Sequence, residues 1–265
     1  LASGAVLTSD GWIATTLEYR TAVESDVVVV GGKGYVVTRV ALEPGTNLQF
    51  LKVDASNLPV FAFGSGFDVR PGDQLFAVPS PTAVFSETAV ESLWPAGAIS
   101  SDVPSRRISV EDPLLGNYPG APVVNVRGEL IGFVEGSAMG FTSVLPVDGV
   151  LPPFNALLRT GMVARASLGV SSTDLTRTLG LPETETSGRA QGALLRGTSS
   201  VKKGSAGAVA GLLAGDVILS VNGTPIDETR ALDDLIVTHV PGDEIVLRVA
   251  RGSEEIELRA ILGAL

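Results

Sequence analysis

Cysteine is missing from this chain, so neither disulfides nor thiolate chemistry enters its design. Histidine occurs once, as His239, which excludes the paired imidazoles of most zinc sites, and the scattered carboxylates lack EF-hand spacing. No metal and no cofactor is expected. His239 itself, next to a helix end ahead of Pro241, reads as a surface residue. Positive charge is scarce as well: 19 Lys and Arg stand against 29 Asp and Glu, a net charge of −10. The deficit holds in both halves, 9 against 16 through Val163 and 10 against 13 beyond it. A surface that tracks phosphates is therefore excluded, and nucleic acid with it. No apolar run reaches the roughly 18 residues of a membrane-spanning helix. Aromatic residues make up only 5%, so the core must be aliphatic.

Hydrophobic residues make up 45% and charged residues 18%, the balance of a well-buried globular protein, and 31 Gly with 16 Pro point to many tight turns. The first half reads as short strands. Ala5-Val6-Leu7 and Trp12-Ile13-Ala14-Thr15 flank Ser9-Asp10-Gly11, a hairpin signal, and Val27 to Val30 and Tyr35 to Val40 flank Gly31-Gly32-Lys33-Gly34. Leu48 to Val53, Gln74 to Val78, Ile108 to Val110 and a hairpin from Val123 to Val134 follow, a spacing that fits a sandwich or closed barrel. Pro152 to Thr160, with Gly161 just past its end, is the first helical segment.

Beyond it the pattern becomes mixed. Strands are predicted over Ala166 to Val170, Gly192 to Arg196, Asp216 to Val221, Glu244 to Ala250 and Glu254 to Ile261. Helices are predicted over Asp174 to Leu179, Ala206 to Leu213 and Thr229 to Thr238, the last with Leu232, Leu235 and Ile236 on one face. The expected division is a mainly β domain over 1–161 and an α+β domain over 162–265.

Several strings resemble the HtrA family, trypsin-like proteases with a C-terminal PDZ domain. Ser9-Asp10-Gly11-Trp12-Ile13-Ala14-Thr15 is similar to the hairpin that delivers the family's catalytic histidine. Glu43-Pro44-Gly45-Thr46-Asn47-Leu48-Gln49-Phe50-Leu51-Lys52-Val53 resembles the segment that delivers its aspartate. Gly116-Asn117-Tyr118-Pro119-Gly120-Ala121-Pro122-Val123-Val124-Asn125 resembles the loop of the nucleophilic serine, and Gly215-Asp216-Val217-Ile218-Leu219-Ser220-Val221-Asn222-Gly223 a PDZ string. The resemblance implies a trypsin-like double β-barrel followed by a PDZ domain. It also implies an extracytoplasmic location, with a membrane anchor supplied by an upstream segment.

Carried over residue by residue, the triad positions of the family fall on Glu18, Asn47 and Pro119. A hydroxyl nucleophile, an imidazole base and an orienting carboxylate are what the triad requires, and none stands at these positions. Proline also lacks the N–H that the nucleophile's residue contributes to an oxyanion hole, leaving Asn117 as donor; losing one donor costs about 100- to 1000-fold in rate. Glu18 as a carboxylate base and a dyad built on Lys33 or Lys52 lack a nucleophile held at a turn. The expectation is therefore a pseudoprotease that is not an enzyme.

The PDZ half retains the family's working parts. By resemblance, Ser167-Leu168-Gly169-Val170 is the loop whose amides hold a peptide's terminal carboxylate, with Leu168 and Val170 at strand and pocket. Leu232 and Ile236 are candidates for the opposite wall or, alternatively, pure core. The leading expectation is a scaffold or adaptor binding protein C-termini or unfolded polypeptide. The second is a structural or regulatory subunit that assembles with active HtrA-type endopeptidases, and an active endopeptidase ranks third.

Overall fold

Ser9-Asp10-Gly11 turns the chain back on itself, pairing Ala5 with Ala14 and Val6 with Ile13. The computed structural model describes residues 2–16, 26–43, 45–79, 86–93, 100–111, 118–138 and 141–265. Two units form, Leu1–Pro95 with Arg106–Phe154, and Ala96–Ser105 with Asn155–Leu265.

The strands of the first unit are β1 (Ala5–Val6), β2 (Trp12–Thr16), β3 (Val27–Val30), β4 (Lys33–Leu42), β5 (Leu48–Val53), β6 (Gln74–Ala77), β7 (Ser86–Ser92), β8 (Ile108–Val110), β9 (Pro122–Asn125), β10 (Leu130–Ala138) and β11 (Phe141–Pro146). The first five make a sheet in the order β1-β2-β5-β4-β3, and the other six close a barrel in the order β10-β11-β8-β7-β6-β9. Closure depends on β9, which pairs with β6 on one side and β10 on the other. Its proline is confined to the first position of the strand, where a missing N–H does least harm to the ladder. Leu75, Val90, Ile108, Val110, Val123 and Val144 fill the barrel. In the five-stranded sheet Phe50 is fully buried, and Phe154 meets it at 5.2 Å and Trp12 at 5.9 Å between ring centroids. Each such side chain contributes about 1.5–3 kcal/mol on burial.

A helix, α1 (Leu151–Thr160), runs from the end of the first unit into the second. The second unit then holds β12 (Ala166–Ser167), β13 (Thr173–Asp174), α2 (Glu183–Thr186), β14 (Ala193–Leu194), α3 (Ala206–Ala210), β15 (Val217–Val221), β16 (Thr224–Pro225), α4 (Leu232–Ile236), β17 (Glu244–Arg251), β18 (Glu254–Ile261) and β19 (Gly263–Ala264). Its main sheet runs β13-β14-β15-β17-β18 with β16 on β15, while β12 pairs with β19. Leu168, Val170, Ile218, Leu232, Ile236, Leu247 and Val249 belong to one core. Buried Asp216 accepts from Arg251 Nε at 2.8 Å and Nη2 at 2.7 Å and from Leu213 N–H at 2.8 Å, which anchors the turn before β15.

Several local expectations change, among them the Ala206 to Leu213 helix, which stops at Ala210 where Gly211 turns left-handed at φ +92°, and the Gly192 to Arg196 strand, which narrows to Ala193–Leu194. Asp174 to Leu179 is no helix, because Asp174 Oδ1 accepts from Thr176 N–H at 2.9 Å and from its hydroxyl at 2.5 Å, a side-chain turn that competes with helix. The Thr229 to Thr238 helix shrinks to α4, since Asp227 Oδ1 takes the N–H groups of Thr229 and Arg230 and delays the start. The strand from Ala166 ends at Ser167 instead of Val170. Ser86–Ser92, polar on its face, is a strand that the hydrophobic pattern missed. Among the described residues no helix is long and apolar enough to cross a membrane.

Candidate functional site

Glu18 and Asn117 lie outside the described residues. Asn47 stands exposed at the turn before β5, and Pro119 sits in the turn that leads into β9. The turn around Pro119 is firmly held. Pro119 O accepts from Ser3 N–H at 3.3 Å, and Gly120 N–H donates to Val134 O and to Thr16 Oγ1, both at 2.8 Å. Thr16 Oγ1 in turn donates to Val134 O, and Thr15 Oγ1 to Ser3 O at 2.7 Å. Gly120 has φ +78°, and a Cβ there would fall 2.1 Å from Ser3 O and 2.2 Å from Thr15 Oγ1. These two buried threonines, which the motif reading passed over, are the hydroxyls that shape the turn. Lys52 is committed to Asp10, at 3.4 Å from its carboxylate, and to Val53 O at 3.2 Å, while Lys33 lies 4.8 Å from the Tyr35 ring centre.

The second unit assembles a different site. After β12 the carbonyls of Leu168 and Gly169 are taken by Gly207 N–H at 2.8 Å and Lys202 N–H at 2.9 Å. Their own N–H groups converge on one atom, Asp102 Oδ1, at 2.9 and 3.0 Å. Ser167 Oγ donates to the other oxygen, Oδ2, at 2.7 Å. Gly169 has φ +73°, and a Cβ on it would lie 2.3 Å from Ser205 Cβ, so only glycine fits this close turn. Successive backbone amides aimed at one point make an anion-binding concavity. Beside it Val170 O accepts from Ser101 N–H at 3.0 Å, Val170 N–H donates to Ser101 Oγ at 3.3 Å, and Ser100 pairs with Ser171 in an antiparallel bridge.

Leu168, Val170, Leu232 and Ile236 lie in one buried cluster, each at most 3% exposed, a placement that suits a pocket wall and pure core alike. Asp233, in the first turn of α4, accepts from Ser105 N–H at 2.9 Å and from the Ser105 hydroxyl. Burial raises its carboxyl pKa above the ordinary 3.8, and the neighbouring charge of Asp234 adds to the rise. Asp102, Ser101 and Asp233 were not foreseen, because nothing local marks them. His239 lies partly exposed just past α4, as a surface residue near a helix end, with Nδ1 2.9 Å from Leu235 O and Nε2 3.2 Å from Asn222 Nδ2. A carbonyl only accepts, so Nδ1 carries the proton and Nε2 receives the amide.

The trypsin-like peptidase domain family matches residues 2–133, and the PDZ domain family matches residues 166–262. A protein of Pseudomonas putida (strain W619), named "Probable periplasmic serine endoprotease DegP-like", is 27% identical over 278 residues, covering 100% of this chain and 56% of the relative. Its namesake in Halomonas elongata is 29% identical over 277 residues, covering 99% of this chain and 56% of the relative. The chain is a DegP/HtrA homologue. It joins a trypsin-like peptidase domain to a PDZ domain and spans just over half the length of these relatives. The fold of this HtrA homologue is that of "HtrA-type protease AlgW with decapeptide", with a TM-score of 0.63 at 23% identity over 100% of this chain and 83% of that one. For the same protease with tripeptide the TM-score is 0.64 at 24% identity, over 100% of this chain and 89% of that one.

These relatives correct one expectation. The chain was expected to be no enzyme because its triad positions read Glu18, Asn47 and Pro119, yet the two sequence relatives are named probable serine endoproteases and the solved neighbour an HtrA-type protease. Substitution at aligned positions concerns only the roles that one alignment assigns, and it does not carry a conclusion about activity.

Proposed function

We propose that the second unit of this HtrA homologue binds extended peptides by their terminal carboxylate and that the chain uses it as a scaffold or adaptor for protein C-termini and unfolded polypeptide. The observation that carries this reading is the convergence of Leu168 N–H, Gly169 N–H and Ser167 Oγ on a single carboxylate. Val170 and Ser171, which follow that loop, form single antiparallel bridges with Val201 and Ser100, the kind of backbone pairing by which a peptide adds to a sheet edge. In this proposal Ser167, Leu168, Gly169 and Val170 form the near wall, and Leu232 and Ile236 of α4 stand behind the far wall. The peptidase domain runs through residue 161 and the PDZ domain begins at 162.

Two relatives are named periplasmic, and an extracytoplasmic location is proposed on that likeness. Assembly with other HtrA-type subunits belongs to the same proposal. Peptide binding accompanies the endoprotease function for which the relatives are named and does not replace it.

The test is fluorescence anisotropy with labelled decapeptides that end in Val, Leu, Ile or Phe, each made as free acid and as C-terminal amide. Free acids are expected to bind the chain or its Asp102→Ala variant, and amides to bind at least tenfold more weakly. Absence of binding to both proteins removes the reading.

A further inference from the structure

The carboxylate held by the loop is not a chain end. It belongs to Asp102, in a segment that precedes β8 in the chain and is part of the second unit. Ser100 and Ser101 run antiparallel to Val170 and Ser171, as an added strand does, through one bridge and the Ser101 N–H bond to Val170 O. At Asp102 the chain bends into a turn and leaves through Val103 and Pro104 to Ser105, which Asp233 of α4 holds at the far side.

The match is chemical as well as geometric. An internal segment has no terminal carboxylate to offer, but an aspartate placed at a turn presents the same two oxygens. Asp102 is 6% exposed and Ser101 1% exposed, so the carboxylate has left bulk water. Leaving such a charge unpaired is costly, and here it is not unpaired. Leu168 N–H, Gly169 N–H and Ser101 Oγ serve Oδ1, the last at 2.6 Å, while Ser167 Oγ serves Oδ2. Hydrogen bonds to an ionised acceptor are roughly twice as strong as neutral ones.

We infer that Asp102 is an internal ligand: residues 100–105 occupy the peptide groove of their own unit, with the Asp102 side chain in the place of a peptide's terminal carboxylate. External peptides bind by displacing this segment. The inference rests on the reading of the second unit as a peptide-binding PDZ domain, and it adds what occupies the groove beforehand. A segment tethered in cis acts at an effective concentration on the order of millimolar. Apparent affinity for a competitor falls in proportion to the open fraction. A groove closed for 90 to 99% of the time weakens an external peptide by about 10- to 100-fold.

The experiment compares the full chain with Asp102→Ala, using the free-acid and amide decapeptides above. Removal of the aspartate is expected to tighten free-acid binding by about 10- to 100-fold. A blocked peptide of residues 98–106 is expected to bind the Asp102→Ala protein in trans, and its own Asp102→Ala version to bind at least tenfold more weakly. Equal free-acid affinity for wild type and variant overturns the internal ligand while leaving the peptide-binding reading intact. If no decapeptide binds either protein, the peptide-binding reading fails instead, and hydrogen exchange at the Leu168 and Gly169 amides decides the contact. Exchange at least tenfold faster in Asp102→Ala than in wild type supports it, and unchanged exchange overturns it. Should Asp102→Ala not fold, Asp102→Asn and Ser105→Ala carry the same comparison, with smaller expected gains of about three- to tenfold.

Discussion

Replacing Gly169 by alanine loads two separate costs onto one position, and the structure shows how to tell them apart. Its φ of +73° is left-handed, which costs an alanine about 1–2 kcal/mol. The new Cβ would stand 2.3 Å from Ser205 Cβ, and forcing an extra carbon into so close a contact costs about 1–3 kcal/mol more. Ser205 cannot retreat freely, since its Oγ accepts from Ala208 N–H at 3.2 Å and caps α3. The second unit should therefore lose about 2–5 kcal/mol. Ser205→Gly removes the obstructing carbon at a cost of only a few tenths as a cap, so the double variant should recover the clash share and keep the backbone share. Intrinsic fluorescence is silent here, because Trp12, Trp94, Tyr19, Tyr35 and Tyr118 all precede Pro119. Hydrogen exchange at β15 and β17, read by mass spectrometry without peptide, reports the unit directly. A Gly169→Ala protein within about 0.5 kcal/mol of wild type, or a double variant no better than the single one, would refute the reasoning.

Asp216→Ala removes two hydrogen bonds from Arg251, which keeps Gly211 O and is partly exposed, and leaves the Leu213 N–H without its acceptor, so it should cost the second unit about 1–3 kcal/mol by the same exchange assay. Gly120→Ala meets a φ of +78° and contacts at 2.1 and 2.2 Å, and it should lower first-unit stability by about 3 kcal/mol or more, seen as an earlier urea midpoint in Trp12 fluorescence. Asp233 binds its proton more tightly folded than unfolded, so its favourable share is fully present below pH 3.8 and is lost as pH rises through the folded value. Asp233→Asn keeps an acceptor for Ser105 and should make the chain at least as stable as wild type at pH 7, an advantage that shrinks as pH falls toward 4 in thermal melts.

Much of the fold was legible because its signals are local. Asp-Gly between apolar runs marked the first hairpin, and runs of valine and leucine marked β5, β15 and β17. The signals that failed were those in which a polar side chain overrides the pattern. Asp174 and Asp227 draw backbone amides into turns where helix had been expected. Ser86–Ser92 became a barrel strand because Thr88 and Val90 point inward between its polar residues. In the candidate site, Gly169 was readable from the short string that contains it, whereas Asp102 was not. Its partners lie 66 and 67 residues further along the chain, and only the folded second unit brings them within 3.0 Å. The threonines beneath the Pro119 turn were hidden for the same reason, Thr16 being 104 residues from the Gly120 amide that it accepts.

The central claim is that the amides of Leu168 and Gly169 form a carboxylate receptor. It is tested most directly by following those two N–H resonances in the Asp102→Ala protein while the decapeptides are added. Free acids should shift both resonances in a saturable manner, with the amide forms leaving them in place. Equal shifts from acids and amides, or no movement of either resonance at saturating peptide, would contradict it.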